Sequence, residues 1–284
     1  MAPAKINLSL LIAGKRPDGF HEIETIMVKV NWYDEILIEK TQNPGIELVC
    51  QGQFWAPQGQ DNLVFRAAEM LIQNCDINEP VKITLTKKIP AGTGLGSASS
   101  DAAATLIGLN SFFKTELDDK ELGKMAAALG SDVAFFLDGP LAFCTGKGEK
   151  IQKIDKNFNF LAILVLPSIS VSTKKVYENY KHDTALYKRL KIQISEQLQK
   201  NRIDLAVKVC ANMLESSCFG LNKELAEMKE KIENLNIGSC CLSGSGSAFF
   251  CILKRGDESR AREYQRLIEE KIDCRSKIVS NNRW

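Results

Sequence analysis

Residues 89–106 read IPAGTGLGSASSDAAATL. Gly92, Gly94 and Gly96 fall within five positions, and Ser97, Ser99, Ser100 and an alanine-rich run follow them. Fixing a glycine costs about 0.5–1 kcal/mol of backbone entropy relative to alanine. Three in so short a span therefore mark a chain that must turn where side chains do not fit, or must come close to a ligand. Upstream, VKITLTKK (81–88) alternates Val81, Ile83 and Leu85 on one face, as a half-buried strand does. Downstream, SSDAAATLIGLNSFF (99–113) has the spacing of a helix. The expected order is a strand ending at Ile89, a turn at Pro90, three exposed glycine amides and a helix from about Ser99. Such a helix start carries unpaired N–H groups and about half a positive charge, which suits an anion. Ser97, Ser99 and Ser100 add hydroxyl donors for phosphate oxygens, or a ligand for magnesium. A P-loop is excluded because no lysine follows the glycines. A dinucleotide fingerprint matches at Gly92 and Gly94 but meets Ser97 where a third glycine belongs. A plain glycine turn capped by serine is the alternative to an anion site.

The same alternation of strand and helix extends in both directions. INLSLLIA (6–13) places Ile6, Leu8, Leu10 and Ile12 on one strand face, and FLAILVLP (160–167) reads as a buried strand closed by Pro167. Helices are predicted over 61–74, with Asp61 and Asn62 as caps, and over 119–129. Further helical segments are expected near 173–181, 186–199, 203–215, 222–235 and 259–272, with a last strand at 276–280. The polar stretch KIDKNFN and the strand after it place a domain boundary near 155–160, dividing 1–157 from 158–284.

The 284 residues, 44% hydrophobic and 25% charged, are those of a globular protein, long enough for one large domain or two sharing a cleft. A net charge of +2, from 37 basic and 35 acidic residues, offers no global field for nucleic acid, so attraction for an anion has to be local. Nine scattered cysteines without a CxxC pair are expected to be reduced core residues, and two histidines, His21 and His182, make a structural zinc site unexpected. FLAILVL (160–166) is too short to span a bilayer, which needs about 20 residues, and the N-terminus lacks a signal-peptide pattern. A cytoplasmic location is expected, with no membrane partner.

IPAGTGLGSASSDAAATL resembles the phosphate loop of the GHMP kinases. PAKINL (3–8) and LSGSGSAFF (242–250) resemble the first and third motifs of the same family, in the same order. PAKINLSLLIAGKRPDGFHEIETIM, DNLVFRAAEML, GSDVAFFL and VSTKKVYENY are similar to the branch of that family acting on a cytidine diphosphate-linked methylerythritol, in the non-mevalonate route to isoprenoid precursors. The resemblance implies an α+β, two-lobed GHMP kinase fold. Its N-terminal lobe would be like ribosomal protein S5 domain 2 and its C-terminal lobe ferredoxin-like, with a cleft between them. It implies ATP and Mg2+ as cofactors and small-molecule substrates as partners; no nucleic acid partner is expected, and the chain is expected to be a monomer or weak homodimer. The family usually has GLGGGSS where this chain has GLGSASS, DVPFF where it has DVAFF, and tyrosine where it has Phe20. Ser97 and Ala98 therefore have to avoid positive φ.

The resemblance carries roles residue by residue. Asp132 is implied as the group accepting the proton of the C2 hydroxyl, and Lys5 as the cation beside the attacking oxygen; a buried ion pair joining two elements is the other reading of both. Asn7, on the same strand face as Lys5, would hydrogen-bond the substrate. His21 would read the edge of cytosine, Phe20 and Tyr177 would sandwich the ring, and Thr173 would line that pocket. The nucleotide would lie on Lys87, Pro90, Ala91, Gly92, Thr93, Gly94, Leu95, Gly96, Ser97, Ala98, Ser99 and Ser100. In this scheme Lys87 faces the adenosine, with a solvated edge lysine as the alternative. Gly244 and Gly246 would supply amides near the substrate's diphosphate or methylerythritol, or else their loop braces the cleft. The magnesium ligand is open between Ser99 and Ser100. Another GHMP kinase, acting on mevalonate, homoserine or a sugar, is the alternative function; DGFHEIET and the spacing from Lys5 to His21 speak against it. A silent binding protein of the same fold would be expected to lack Lys5 or Asp132.

Overall fold

The computed structural model describes residues 1–155, 159–200, 202, 209–253 and 258–282. The chain opens on two long antiparallel strands, β1 (Ala2–Lys15) and β2 (His21–Lys40). β2 is long enough to serve two neighbours in succession. Its first half pairs β5 (Leu141–Gly146), and its second half pairs β4 (Val81–Lys87). With β3 (Ile46–Gly52) parallel to β4 and β6 (Lys150–Lys153) beyond β5, the first sheet runs β3-β4-β2-β5-β6, with β1 alongside β2. The second sheet is antiparallel in the order β10-β7-β9-β8, from β7 (Leu161–Leu166), β8 (Cys240–Leu242), β9 (Phe249–Leu253) and β10 (Arg275–Ser280).

Helices α1 (Leu63–Asn74), α2 (Ser97–Phe113), α3 (Asp119–Leu129) and α4 (Val133–Leu137) cover the first sheet. Their apolar faces meet Met27, Ile83 and Leu85 in one buried cluster. Asn62 caps α1 by accepting from the Val64 amide, and Asp118 and Glu121 close a reciprocal capping box on α3. α5 (Thr173–Glu178), α6 (Thr184–Gln199), α7 (Glu215–Leu221), α8 (Lys223–Asn234) and α9 (Glu258–Ile272) belong to the second half. Ile6, Leu8, Leu10 and Ile12 of β1 share one buried cluster with Ile163, Val165, Phe249 and Phe250 of the second sheet. The expected strand face thus becomes the wall common to both halves. Period-2 alternation then leaves Lys5, Asn7 and Ser9 on the opposite face of β1.

Several expectations shift. The strand before the glycine loop ends at Lys87, not Ile89, and α2 starts at Ser97, not Ser99. No strand was expected over 21–40, 46–52, 141–146 or 150–153, where β2, β3, β5 and β6 lie. Of the helix expected over 203–215, residues 203–208 lie outside the described residues, and helix begins only at Glu215; Asn212 instead bridges to Leu10. The boundary at 157/158 also lies outside them; the first sheet ends at Lys153 and the second begins at Leu161. All nine cysteines are free thiols. Among the described residues no helix is long and apolar enough to cross a membrane.

Candidate active site

One cavity of about 820 Å³ opens where the polar face of β1, the glycine loop, the start of α4 and the α5 region meet. Its lining includes Lys5, Asn7, Phe20, His21, Gly92, Gly94, Gly96, Ser97, Ala98, Ser99, Asp132, Thr173, Tyr177 and Gly244.

The loop's shape comes from its glycines. Gly92, Gly94 and Gly96 all have φ between 70° and 77°, a region that side chains strain to reach, whereas Ser97 and Ala98 are already helical. Two of these glycines also have no room for a side chain. A Cβ on Gly94 would lie 1.9 Å from the Ser243 carbonyl oxygen, and one on Gly96 would lie 2.9 Å from Lys5 Cγ and from Phe136 Cζ. Segment 242–250 is the brace that causes the first crowding. Ser243 Oγ donates to the Gly94 carbonyl at 3.0 Å, and the Ala248 amide donates to the Thr93 carbonyl at 3.0 Å. Asn212 in turn donates to the Leu242 and Gly244 carbonyls at 2.8 and 2.7 Å.

Lys5 and Asp132 face each other across this floor, with Nζ 3.7 Å from Oδ2. Lys5 is buried and also donates to Asn7 Oδ1 at 2.5 Å and to the Gly94 carbonyl at 2.7 Å. Burial pulls the Lys5 pKa below the usual lysine value, and the Asp132 charge opposes that pull. Asp132, 35% exposed, sits immediately before α4. The far end of α4 is tied by Lys29, whose ammonium donates to the carbonyls of Phe136 (3.0 Å) and Asp138. A cation there also suits the helix C-terminus. Burial brings the Lys29 pKa down to about 8.

At the cavity's other end the rings gather. His21 lies 5.3 Å from the Tyr177 ring and 5.7 Å, edge-on, from Tyr180. Burial lowers the His21 pKa, with the Lys15 charge adding to the effect, which favours the neutral imidazole. Phe20, 53% exposed, has Lys147 Nζ 4.6 Å over its ring. Thr173 Oγ1 lies 2.8 Å from Ser245 Oγ.

The structure does not bring every expected residue to the cavity. Lys87 is neither a solvated edge lysine nor a cavity residue. It is 2% exposed and held by Asp34, Asp101 (2.7 Å) and Ser97. The Ser97 hydroxyl is turned inward to that group, at 3.1 Å from Asp34, so only the backbone of Ser97 is left for a ligand. Ser100 is buried, Leu95 is a core residue, and Thr93 Oγ1 bonds the Pro90 carbonyl at 3.0 Å; with Pro90 and Ala91, all are off the lining. The Gly246 amide donates to the Ser243 carbonyl at 3.0 Å and a Cβ there would meet Leu242 and Cys218, so it shapes the brace and faces no ligand. Sequence reasoning passed over Asp34, Lys29, Lys147 and Tyr180. The signal for the first two was a charge set within an apolar strand sequence, MVKVNWYDEILI (27–38).

Two family models match the chain, GHMP kinases N terminal domain over residues 62–140 and GHMP kinases C terminal over 194–266. A 4-diphosphocytidyl-2-C-methyl-D-erythritol kinase of Bacillus cytotoxicus is 36% identical over 249 residues, 88% of this chain and 86% of that one. The enzyme of the same name from Bacillus subtilis is 35% identical over 253 residues, 89% and 87% of the two chains. Among solved structures, a 4-(cytidine 5'-diphospho)-2C-methyl-D-erythritol kinase superposes with a TM-score of 0.77 at 30% identity, covering 99% of this chain and 98% of its own. A homoserine kinase from Cytophaga hutchinsonii shares the fold, with a TM-score of 0.74 at 17% identity, covering 99% and 93%.

Proposed function

The chain belongs to the 4-diphosphocytidyl-2-C-methyl-D-erythritol kinases of the GHMP kinase family, and from that membership we propose how its cavity does the work. The reaction moves the γ-phosphate of ATP to the 2-hydroxyl of 4-diphosphocytidyl-2-C-methyl-D-erythritol, giving the 2-phosphate and ADP in the route to isoprenoid precursors. The observation that carries the reading is that Lys5 and Asp132 meet the glycine loop at one end of a cavity whose other end holds His21 and Tyr177.

The phosphates of ATP lie against the amides of Gly92 to Ala98 at the head of α2, where the helix start favours negative charge. The acceptor is a tertiary alcohol, crowded and weakly acidic, so catalysis rests on positioning and on charge. Asp132 takes its proton as the oxygen bonds to the γ-phosphorus and the bond to ADP breaks. That transfer comes late, because the alcohol oxygen holds its proton firmly until its bond to phosphorus is forming. Lys5, 3.7 Å from Asp132, offsets the charge growing on the attacking oxygen. Its tie to the Gly94 carbonyl sets this cation in register with the loop.

Magnesium belongs with the nucleotide. Among the described residues no three His, Cys, Asp or Glu side chains gather into a metal-binding group. An ion accompanying ATP here would be held mainly by phosphate oxygens and water, as magnesium commonly is. Ser99, the loop hydroxyl on the cavity lining, would complete the shell; Ser100 is turned away. When bound, the ion would neutralise charge on the transferring phosphate.

His21, neutral and able both to donate and to accept, reads the cytosine edge, and Phe20 and Tyr177 take the ring's faces. Base–aromatic stacking is worth about 1–3 kcal/mol. Tyr177→Leu is therefore expected to raise the KM of the cytidine substrate by about 10- to 100-fold, with the KM of ATP unchanged, in steady-state kinetics. The function itself is tested by ADP release from MgATP with the cytidine substrate, mevalonate or homoserine. Turnover of the first alone is expected; turnover of mevalonate or homoserine without it would overturn the assignment.

A further inference from the structure

We infer that Asp34 is a positioning residue for the phosphate loop: one buried carboxylate ties the strand running into the loop to the helix turn running out of it. Asp34 lies on β2, 0% exposed. Its Oδ1 accepts from the backbone amides of Lys88, at 2.5 Å, and Ile89, at 2.8 Å, the last residues before the turn. Its Oδ2 accepts from the Ser97 hydroxyl, at 3.1 Å, on the first residue of α2, and from the Lys87 ammonium. Lys87 extends the tie to Asp101, at 2.7 Å, in the second turn of α2.

Between these two anchors lie three glycines in the left-handed region, a stretch with wide backbone freedom when unrestrained. A carboxylate shared by both ends removes that freedom without using any atom that faces the cavity. Pure stabilisation explains the arrangement poorly, because a buried ion pair is often no better than apolar packing of the same volume. What it supplies is register: the loop amides and the start of α2 are held at a fixed offset before a ligand arrives. Ser97 makes this chain's version of the latch, at a position where side chains are compatible because the helix has already begun.

The inference rests on the loop being the ATP site, and its test separates the two. Ser97→Ala removes one tie and is expected to raise the KM of ATP by about fivefold, the scale of one net hydrogen bond. Ser97→Thr, which keeps the hydroxyl, should restore most of it. Asp34→Asn leaves an acceptor for the two amides but sets an amide against the Lys87 ammonium; a rise of about 10- to 100-fold in the KM of ATP is expected. In all three the KM of the cytidine substrate should stay at the wild-type value, which a general loss of structure would not allow. Should Asp34→Asn fail to fold, the serine pair decides alone. A wild-type KM for ATP in Ser97→Ala, or an equal rise for both substrates, overturns the latch while wild-type turnover leaves the kinase reading standing. Failure of the wild-type protein to bind MgATP in calorimetry overturns both.

Discussion

Asp132→Asn is expected to lower kcat by about 10²–10⁴-fold, the range for loss of a general base, while MgATP binds nearly as before. The substitution keeps the shape of the side chain and its place ahead of α4, and removes its negative charge and its ability to take a proton. Nothing in the ATP-facing loop depends on Asp132. The loop's Thr93 and Gly94 carbonyls are held from other directions, by the brace at 242–250 and by Lys5. Lys5 itself keeps two of its partners, Asn7 and the Gly94 carbonyl, so the floor of the cavity does not come apart. The variant loses the charge that opposes the effect of burial on Lys5, so the Lys5 pKa falls further below the usual lysine value. ADP release measures the first effect and calorimetric titration with MgATP the second. Normal turnover by this variant would remove Asp132 from the chemistry and leave it as one half of an ion pair.

Gly94→Ala should be nearly as damaging for a different reason. The residue has φ +77°, and its missing side chain is the space into which the Ser243 carbonyl fits, 1.9 Å from where a Cβ would sit. No rotation relieves a clash between two backbones, so the loop and the brace must separate. The same movement carries the Gly94 carbonyl away from Lys5 Nζ, at 2.7 Å, and from Ser243 Oγ, at 3.0 Å. A displacement of about 1 Å at a positioned group costs on the order of 100-fold in rate, and the loop's amides and Lys5 shift together. A fall of at least about 100-fold in kcat/KM for ATP is therefore expected. Gly92→Ala is the control. Its φ is +70°, so the backbone strain is similar, but the nearest atom to its Cβ would be Ser170 Oγ at 3.8 Å. The control should lose far less activity. Equal losses in the two variants would show that backbone strain, not the docking of loop on brace, is what matters there.

The two variants mark the two kinds of information in this chain. Three short motifs, each within about ten residues, carried the family resemblance, and their order along the chain made it specific. Local physics was also enough for the capped start of α1, for the extent of α3, and for the alternation that puts Ile6, Leu8 and Leu10 on the core side of β1 and Lys5 and Asn7 on the other. It was enough, too, for the requirement that Ser97 and Ala98 avoid positive φ, which they meet by being helical. β2 was passed over because it is paired on both sides over 23–28 and nearly continuously buried over its first half, so its sequence shows no clean alternation.

The periodicities and the glycine spacing thus determined by themselves a strand–glycine loop–helix unit, and the resemblance carried by the motifs implied that it would face a lysine on the first strand. Only the tertiary structure decided which polar atoms reach the cavity and which are spent holding it. Ser97 sits inside the loop motif and Lys87 just ahead of it, yet both are claimed by a partner that the motif does not contain: Asp34, 53 residues before Lys87. A turn or a helix is encoded over a few neighbouring residues. The direction of a buried charge depends on where its counter-charge lies in space, and that is set by the folding of the whole chain.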